Sequence, residues 1–147
     1  MIDGKHRYHM LELMLNNNPH FEVSDCELQN TLIYTYQTLD YFKEKYPTDD
    51  IYFICGTDNL KELKTWKNYN YILEQYKLLV IQRNEDNINE ILDDLDSKNI
   101  IIASIPLNDI SSTQIRNMLK NKNKGVEEID SDVLDYIIEN NLYVNLD

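Results

Sequence analysis

Hydrophobic residues recur along the chain with two spacings, and these alternate from about residue 51 onward. Steps of three and four residues predict amphipathic helices over 6–15, 31–46, 88–95 and 131–140. The same spacing predicts three shorter helices, one that follows residue 58, one that contains Ile72 and Leu73, and one that begins at residue 111. Apolar runs or strict alternation predict strands over 20–25, 51–56, 78–82 and 100–105. Strands that alternate with helices favour a right-handed, mostly parallel α/β sheet.

The run IYFICG at 51–56 is continuous, apolar and rich in β-branched and aromatic residues. These properties are typical of a strand that is buried on both faces of a parallel sheet. Gly56, Thr57 and Asp58 follow at its carboxyl end, where open α/β sheets place their ligand contacts. Asp58 therefore has two candidate roles, namely contact with a ligand and N-capping of the next helix.

The motif ISSTQIR has two interpretations. Ser111, followed three residues later by Gln114, predicts a capping box at the start of a helix. Arg116 would then lie in the first turn, where a cation opposes the positive end of the helix dipole. Backbone amides, the hydroxyls of Ser111, Ser112 and Thr113, and a guanidinium are also the donors that bind phosphate. A plain helix cap and an anion site both remain open.

Composition narrows the classes of partner. The chain has 147 residues, one domain's worth, and a formal net charge of −12, which would repel nucleic acids and anionic membranes. No apolar run approaches the roughly 20 residues that span a bilayer. We therefore expect a single cytoplasmic domain over 1–147 that binds neither nucleic acid nor membrane, and any phosphorylated ligand must be attracted locally.

The cysteines and histidines give no sign of a metal site. Cys26 and Cys55 lack metal-ligand spacing, and we interpret both as reduced thiols with a packing role. His6 and His9 would share a helical face, but no third ligand is near them in the sequence, so we interpret them as polar side chains that face solvent.

Several motifs together resemble bacterial nicotinate-nucleotide adenylyltransferase. They cover nearly the whole chain in order: EVSD (22–25), YTYQTL (34–39), GTDNL (56–60), LKTW followed by YNYIL, VIQR (80–83), ISSTQIR (110–116) and YIIENNLY (136–143). The resemblance implies a Rossmann-like, open, mostly parallel sheet of the nucleotidyltransferase type. It also implies adenylyl transfer from ATP to nicotinate mononucleotide, with Mg²⁺, giving deamido-NAD and pyrophosphate on the route to NAD. A homo-oligomer is compatible with this interpretation.

Site residues follow from the same resemblance, with no protein ligand assigned to a metal. It implies ATP phosphate contacts from Ser111, Ser112, Thr113 and Arg116, and contacts with adenosine from Gly56 and Asp58. For nicotinate mononucleotide it implies a pocket lined by Tyr34 and Thr35, stacking on Trp66, and a weaker phosphate contact from Arg83.

The chain departs from the family pattern at three places. Gln37 stands where the family usually has aspartate, and Asn141 replaces a glycine that follows a helix. The family's GxFxPxHxGH motif, whose histidines bind ATP phosphates, does not occur. We therefore expect an N-terminally truncated fold that lacks the first strand-helix unit and is inactive or very slow by itself. The alternative is a non-catalytic nucleotide-binding or interaction remnant that another chain completes.

Overall fold

The computed structural model describes residues 2–15, 18–28, 31–82, 88–93, 95, 97–103, 111–120 and 129–143. Within these residues the chain forms seven α-helices and three β-strands. In chain order they are α1 (Gly4–Leu15), α2 (Thr35–Lys45), β1 (Tyr52–Gly56), α3 (Thr57–Glu62), α4 (Tyr69–Gln75), β2 (Lys77–Ile81), α5 (Ile88–Asp93), β3 (Ile100–Ala103), α6 (Ser112–Lys120) and α7 (Ser131–Glu139). Single 3₁₀ turns occur at Leu63–Thr65 and Ser97–Asn99.

The chain divides into two compact units. One comprises Met1–Gln29 and Asn108–Asp147, and the other comprises Asn30–Leu107. The second unit contains the sheet, and we call it the sheet unit; the first contains α1, α6 and α7, and we call it the helical unit. The single domain over 1–147 remains a prediction. Within the described residues, no helix combines the length and apolar character needed to cross a membrane.

The three strands that the structure describes form one parallel sheet in the order β1-β2-β3. This order confirms the predicted mostly parallel α/β class, since every strand pair is parallel and the strands are joined through helices. Register pairs Cys55 with Val80, and Val80 with Ile102. These side chains therefore lie on one face of the sheet, and Val80 is fully buried there.

The core of the sheet unit lies on that face. Leu39 of α2, Leu60 of α3 and the pair Ile72 and Leu73 of α4 pack with Leu78 and Val80. Helix α4 begins at an unusual point, because its N-cap residue Asn68 has a left-handed backbone with φ of 56°. Asparagine tolerates that conformation better than most residues, which explains its place at this turn.

The prediction that the strand at 51–56 is buried on both faces is wrong. Ile54 pairs with Leu79, which pairs with Ile101, so the three side chains share the second face. Ile54 is 61% exposed and Ile101 43% exposed. The apolar run indicates that both faces of the strand are apolar, but it does not indicate which face the helices cover. The helices of this unit pack on the face of Cys55, Leu78 and Val80.

The predicted strand at 20–25 is also wrong. Residues 21–25 have no regular secondary structure, and Phe21 is 62% exposed. Alternating residues form a strand only when a neighbouring strand accepts their backbone hydrogen bonds, and the described part of the helical unit offers none.

The boundaries of two predicted helices also differ in the structure. Helix α2 begins at Thr35 and not at 31, and α5 ends at Asp93. The last two residues of the predicted strand 100–105 lie outside the described residues.

Helix α7 shows how local signals determine a helix end. Its N-cap is Asp130, whose carboxylate accepts from the backbone N–H of Asp132 and Val133. At the other end Asn141 has φ of 51°, and its N–H bonds to the Ile138 carbonyl. The next N–H reaches the carbonyl of Ile137, which completes a Schellman motif. Asparagine thus takes the left-handed position expected of glycine.

Candidate functional site

The start of α6 contains the predicted capping box. The Ser111 N–H donates to Gln114 Oε1 at 2.7 Å, and the Gln114 N–H donates to Ser111 Oγ at 3.2 Å. The two side chains thus satisfy two backbone donors that a helix start leaves without partners. The local prediction is confirmed. The cap leaves the hydroxyls of Ser112 and Thr113 outside the reciprocal pair, and both residues are exposed.

Arg116 lies one turn further along the same helix. Its Nη2 is 3.4 Å from Thr113 Oγ1, so the guanidinium lies back toward the helix start, and the side chain is exposed. Ser112 and Arg116 also line a cavity of about 400 Å³ in the helical unit, together with Arg7 of α1. Among the described residues, the rest of its lining is apolar apart from Tyr143 and includes no acidic residue. In a chain of net charge −12, this is a locally cationic surface.

The capping box carries a first prediction. Changing Ser111 to alanine leaves the Gln114 N–H without its acceptor and should lower the free energy of unfolding by about 1 kcal/mol, within the usual range for N-caps. Urea denaturation followed by circular dichroism measures this. Ser112→Ala is the matched control, since Ser112 is exposed and takes no part in the reciprocal pair. An equal loss in both variants would show that the box does not stabilise the fold.

The carboxyl end of β1 leads directly into α3. Gly56 is the N-cap residue, with no side chain to make a cap hydrogen bond, and Asp58 is the second residue of the helix. The alternative role of Asp58 as N-cap is therefore wrong. Its exposed carboxylate lies in the first helical turn, where it interacts favourably with the helix dipole. Thr57 between them is fully buried, and its hydroxyl donates to the Ile81 carbonyl of β2 at 3.4 Å.

Tyr34 and Thr35, which the resemblance assigns to the nicotinate pocket, lie at the start of α2. Tyr34 is the N-cap residue and Thr35 the first helical residue. Gln37 Oε1 accepts from the N–H of Ile33 at 2.9 Å and from that of Tyr34 at 3.0 Å. Gln37 thus fixes the backbone where the chain enters the helix. Tyr34 is 46% exposed, so its ring is accessible.

Trp66 follows the 3₁₀ turn Leu63–Thr65 and packs edge-to-face on Phe53 of β1, with ring centroids 5.6 Å apart and planes at 81°. It is half-buried against the core of the sheet unit. Edge-to-face contact is a preferred geometry for aromatic pairs and stabilises this end of the sheet. Packing therefore explains part of the position of Trp66, and its stacking on a ligand ring remains a prediction.

The predicted site residues fall into two groups. Gly56, Asp58, Tyr34, Thr35 and Trp66 belong to the sheet unit, whereas Ser111, Ser112, Thr113 and Arg116 belong to the helical unit. Apart from Trp66, these residues are close in sequence within three sets, which lie at the starts of α2, α3 and α6. Arg83 lies outside the described residues, so its phosphate contact remains a prediction.

The two histidines of α1 pack on α7. His6 Nδ1 lies 2.7 Å from the hydroxyl of Tyr136, and the ring of His9 is 4.7 Å from that of Tyr136. Among the residues that the structure describes, no three His, Cys, Asp or Glu side chains come together as metal ligands. Cys55 is buried, and burial raises the pKa of its thiol, in keeping with a packing role.

One polar cluster of the sheet unit has no signal in the sequence. Asp40 Oδ1 accepts hydrogen bonds from the hydroxyls of Tyr71, at 2.8 Å, and Tyr76. Burial and the bond to Asp40 raise the pKa of Tyr76, and the bond to Asp40, followed by burial, raises that of Tyr71. Residues 31 and 36 positions apart meet only through the tertiary fold.

Comparison with known proteins identifies the family. The cytidylyltransferase-like family matches residues 1–118. A relative from Clostridium novyi (strain NT), described as a probable nicotinate-nucleotide adenylyltransferase, is 40% identical over 129 residues, which cover 83% of this chain and 64% of the relative. Relatives of the same description from Endomicrobium trichonymphae and Acholeplasma laidlawii are 39% and 36% identical, covering 93% and 97% of this chain and 72% and 73% of their own lengths.

Solved structures agree with the sequence relatives. Plasmodium falciparum nicotinic acid mononucleotide adenylyltransferase complexed with NaAD matches with a TM-score of 0.78 and 25% identity, over 100% of this chain and 78% of that one. The same enzyme complexed with APC matches with a TM-score of 0.75 and 26% identity, over 98% and 78%. The motifs, the parallel sheet and these relatives agree, and the chain belongs to the nicotinate-nucleotide adenylyltransferase family of cytidylyltransferase-like proteins.

Proposed function

We propose that this chain takes part in adenylyl transfer from ATP to nicotinate mononucleotide. In this reaction a phosphate oxygen of the mononucleotide bonds to the α-phosphorus of ATP, the bond from that phosphorus to the bridging oxygen breaks, and pyrophosphate leaves. The products are deamido-NAD and pyrophosphate. The observation that carries the proposal is family membership, supported by relatives at 36–40% identity that bear this activity in their description.

The start of α6 is proposed as the phosphate-binding part. Ser112, Thr113 and the helix amides offer donors, Ser111 holds the turn in shape, and Arg116 supplies the charge. An anion at this point would interact favourably with the helix dipole and with the guanidinium of Arg116, which lies back toward the helix start. The complex of the Plasmodium enzyme with APC, an ATP analogue, supports a triphosphate ligand.

The sheet unit is proposed to hold the adenosine and the acceptor. Gly56 lets the backbone approach the nucleoside at the end of β1, and Asp58 offers a carboxylate beside it. Tyr34 and Thr35 would line the nicotinate pocket, with Trp66 stacking on the ring and Arg83 contacting a phosphate. The complex of the Plasmodium enzyme with NaAD supports a ligand that contains both moieties.

Mg²⁺ is proposed to accompany ATP. Magnesium in such enzymes is bound largely by substrate phosphates and water, with one or two carboxylates at most. When bound, it neutralises charge on the phosphates. The chain's own groups then have the tasks of binding and orienting the two nucleotides, which is where most of the catalytic effect arises in phosphoryl-group transfer.

Binding of the acceptor tests the proposal directly. The chain has a single tryptophan, so its fluorescence reports on Trp66 alone. Titration with nicotinate mononucleotide should quench this fluorescence in a saturable manner, because stacking brings the electron-poor ring against the indole. Ribose 5-phosphate, which lacks the ring, is the matched ligand control and should leave the fluorescence unchanged.

Calorimetry with the same two ligands checks the stacking independently of fluorescence. No binding of nicotinate mononucleotide to the chain would contradict the proposed function. Binding of both nucleotides without pyrophosphate release would favour the non-catalytic alternative, whereas turnover near 1 per second, within the usual range of enzymes, would exclude it.

A further inference from the structure

Two tyrosines join helix α2 to the segment 69–76 through one carboxylate. Asp40, in the middle of α2, accepts hydrogen bonds on Oδ1 from Tyr71 of α4, at 2.8 Å, and from Tyr76, the residue that ends α4. Tyr76 is 5% exposed and belongs to the core of the sheet unit. Hydrogen bonds to a charged acceptor are about twice as strong as neutral ones, so the contact anchors α2 to the core.

An aromatic series continues from this anchor to the start of α2. Tyr71 contacts the ring of Tyr36 edge-on, with centroids 6.4 Å apart and planes at 87°. Tyr36 in turn lies parallel to Tyr34, with centroids 6.1 Å apart and planes at 13°. Tyr36 and Asp40 are four residues apart on α2 and therefore share one helical face. The contacts thus run from the core to the exposed N-cap residue of the helix.

We propose that Asp40 is a positioning residue for the acceptor site. Asp40 holds Tyr34 and Thr35 in place through Tyr71 and Tyr36. The inference rests on the proposed function, because Tyr34 and Thr35 are the residues assigned to the nicotinate pocket. It adds a determinant that lies in the middle of α2, outside the nicotinate pocket, and that none of the family motifs contains.

The geometry favours this role over general stabilisation. Gln37 fixes the backbone of Ile33 and Tyr34 through hydrogen bonds to their N–H groups. Tyr34 is 46% exposed, and its one aromatic contact among the described residues is with Tyr36, which restricts the orientation of its ring. Tyr36 is partly buried against the core, and the ring of Tyr71, whose hydroxyl is held by Asp40, supports it edge-on. Loss of the carboxylate would release the Tyr71 hydroxyl and weaken the support that the Tyr71 ring gives to Tyr36 and, through it, to Tyr34.

Two variants test the inference, and each keeps the shape of the side chain that it alters. Asp40→Asn removes the charge, and the double change Tyr71→Phe with Tyr76→Phe removes both hydroxyls while keeping the rings. Both should raise the Kd of nicotinate mononucleotide about tenfold, the scale of one hydrogen bond to a charged group. Affinity for ATP should not change, because its phosphate contacts are assigned to α6. Calorimetry measures both affinities.

Tyr41→Phe is the matched control. Tyr41 neighbours Asp40 on α2, is 40% exposed and contacts Phe42, outside the cluster. It should leave both affinities unchanged. Hydrogen exchange of the amides at residues 37 and 38, which close the first turn of α2 onto the Tyr34 carbonyl, should be about tenfold faster in Asp40→Asn and unchanged in the control.

The outcomes separate the inference from the function on which it rests. Wild-type binding of nicotinate mononucleotide with unchanged affinity in both variants overturns the positioning role and leaves the proposed function intact. Equal losses of affinity for ATP and for the acceptor also overturn it, because they indicate general destabilisation. No binding by the wild type overturns the proposed function, and the positioning role with it.

Discussion

Replacement of Arg116 by alanine is expected to weaken ATP binding by about 1.5–3 kcal/mol, or about 10- to 150-fold in Kd. The guanidinium is exposed at the first turns of α6 and contacts Thr113, so its loss removes the cation of the proposed phosphate site without disturbing the capping box. The net charge of −12 makes the effect larger, since no long-range field compensates for a lost local cation. Calorimetric titration with ATP and Mg²⁺ measures the change.

Lys120→Ala is the matched control for Arg116. Lys120 ends the same helix, so its removal changes the net charge equally while leaving the start of α6 intact. Its effect on ATP affinity should be less than threefold, and Arg116→Lys should recover only part of the lost affinity because lysine lacks the bidentate fork. If Arg116→Ala and Lys120→Ala weaken binding equally, the role of Arg116 is general electrostatics, and the phosphate site is wrong.

Replacement of Leu78 by alanine is expected to lower the free energy of unfolding by about 2–5 kcal/mol, the range measured for buried leucines. Leu78 lies in the central strand β2 and is fully buried among residues of α2, α3 and α4. Truncation removes apolar contact and leaves a cavity that a packed parallel sheet closes only in part. Urea denaturation monitored by circular dichroism gives the value.

Ile54→Ala is the control for Leu78 and also tests the second face of the sheet. Ile54 lies on the face opposite to Leu78 and is 61% exposed. Its truncation should cost less than about 1 kcal/mol, as is usual for exposed positions. A cost equal to that of Leu78→Ala would mean that another surface covers this face in solution, and the exposed apolar face would then be an interface.

Sequence-local signals predicted the parts of the site that depend on a few neighbouring residues. The pair of Ser111 and Gln114 forms the predicted capping box because residues three apart at a helix start are always within reach. Asn141, which stands where the family pattern has a glycine after a helix, adopts a left-handed conformation for the same reason, since a helix end is closed by its own last carbonyls. The parallel α/β class was also predictable, because the order of strands and helices limits how the chain can connect them.

Side-chain environment was less predictable. Apolar residues at 51–56 predicted a strand, but whether each face is covered depends on where the helices pack, and Ile54 is exposed although its neighbour Cys55 is buried. The sequence around Asp58 was equally compatible with a ligand contact and with an N-cap. In the structure α3 begins at Thr57, so Asp58 lies inside the helix. Residues 21–25 alternate like a strand without a neighbouring strand to pair with in the described part of their unit.

Sequence alone determined the family, the parallel α/β class and the capped helix start at Ser111, because motifs and caps depend on residues that are close to one another in the chain. Only the tertiary structure decided that Asp40 binds Tyr71 and Tyr76, and that one face of the sheet carries the core while the other is exposed. Such contacts join positions far apart in the chain, and their partners are selected by packing of whole elements. No short-range pattern of residue types contains that information.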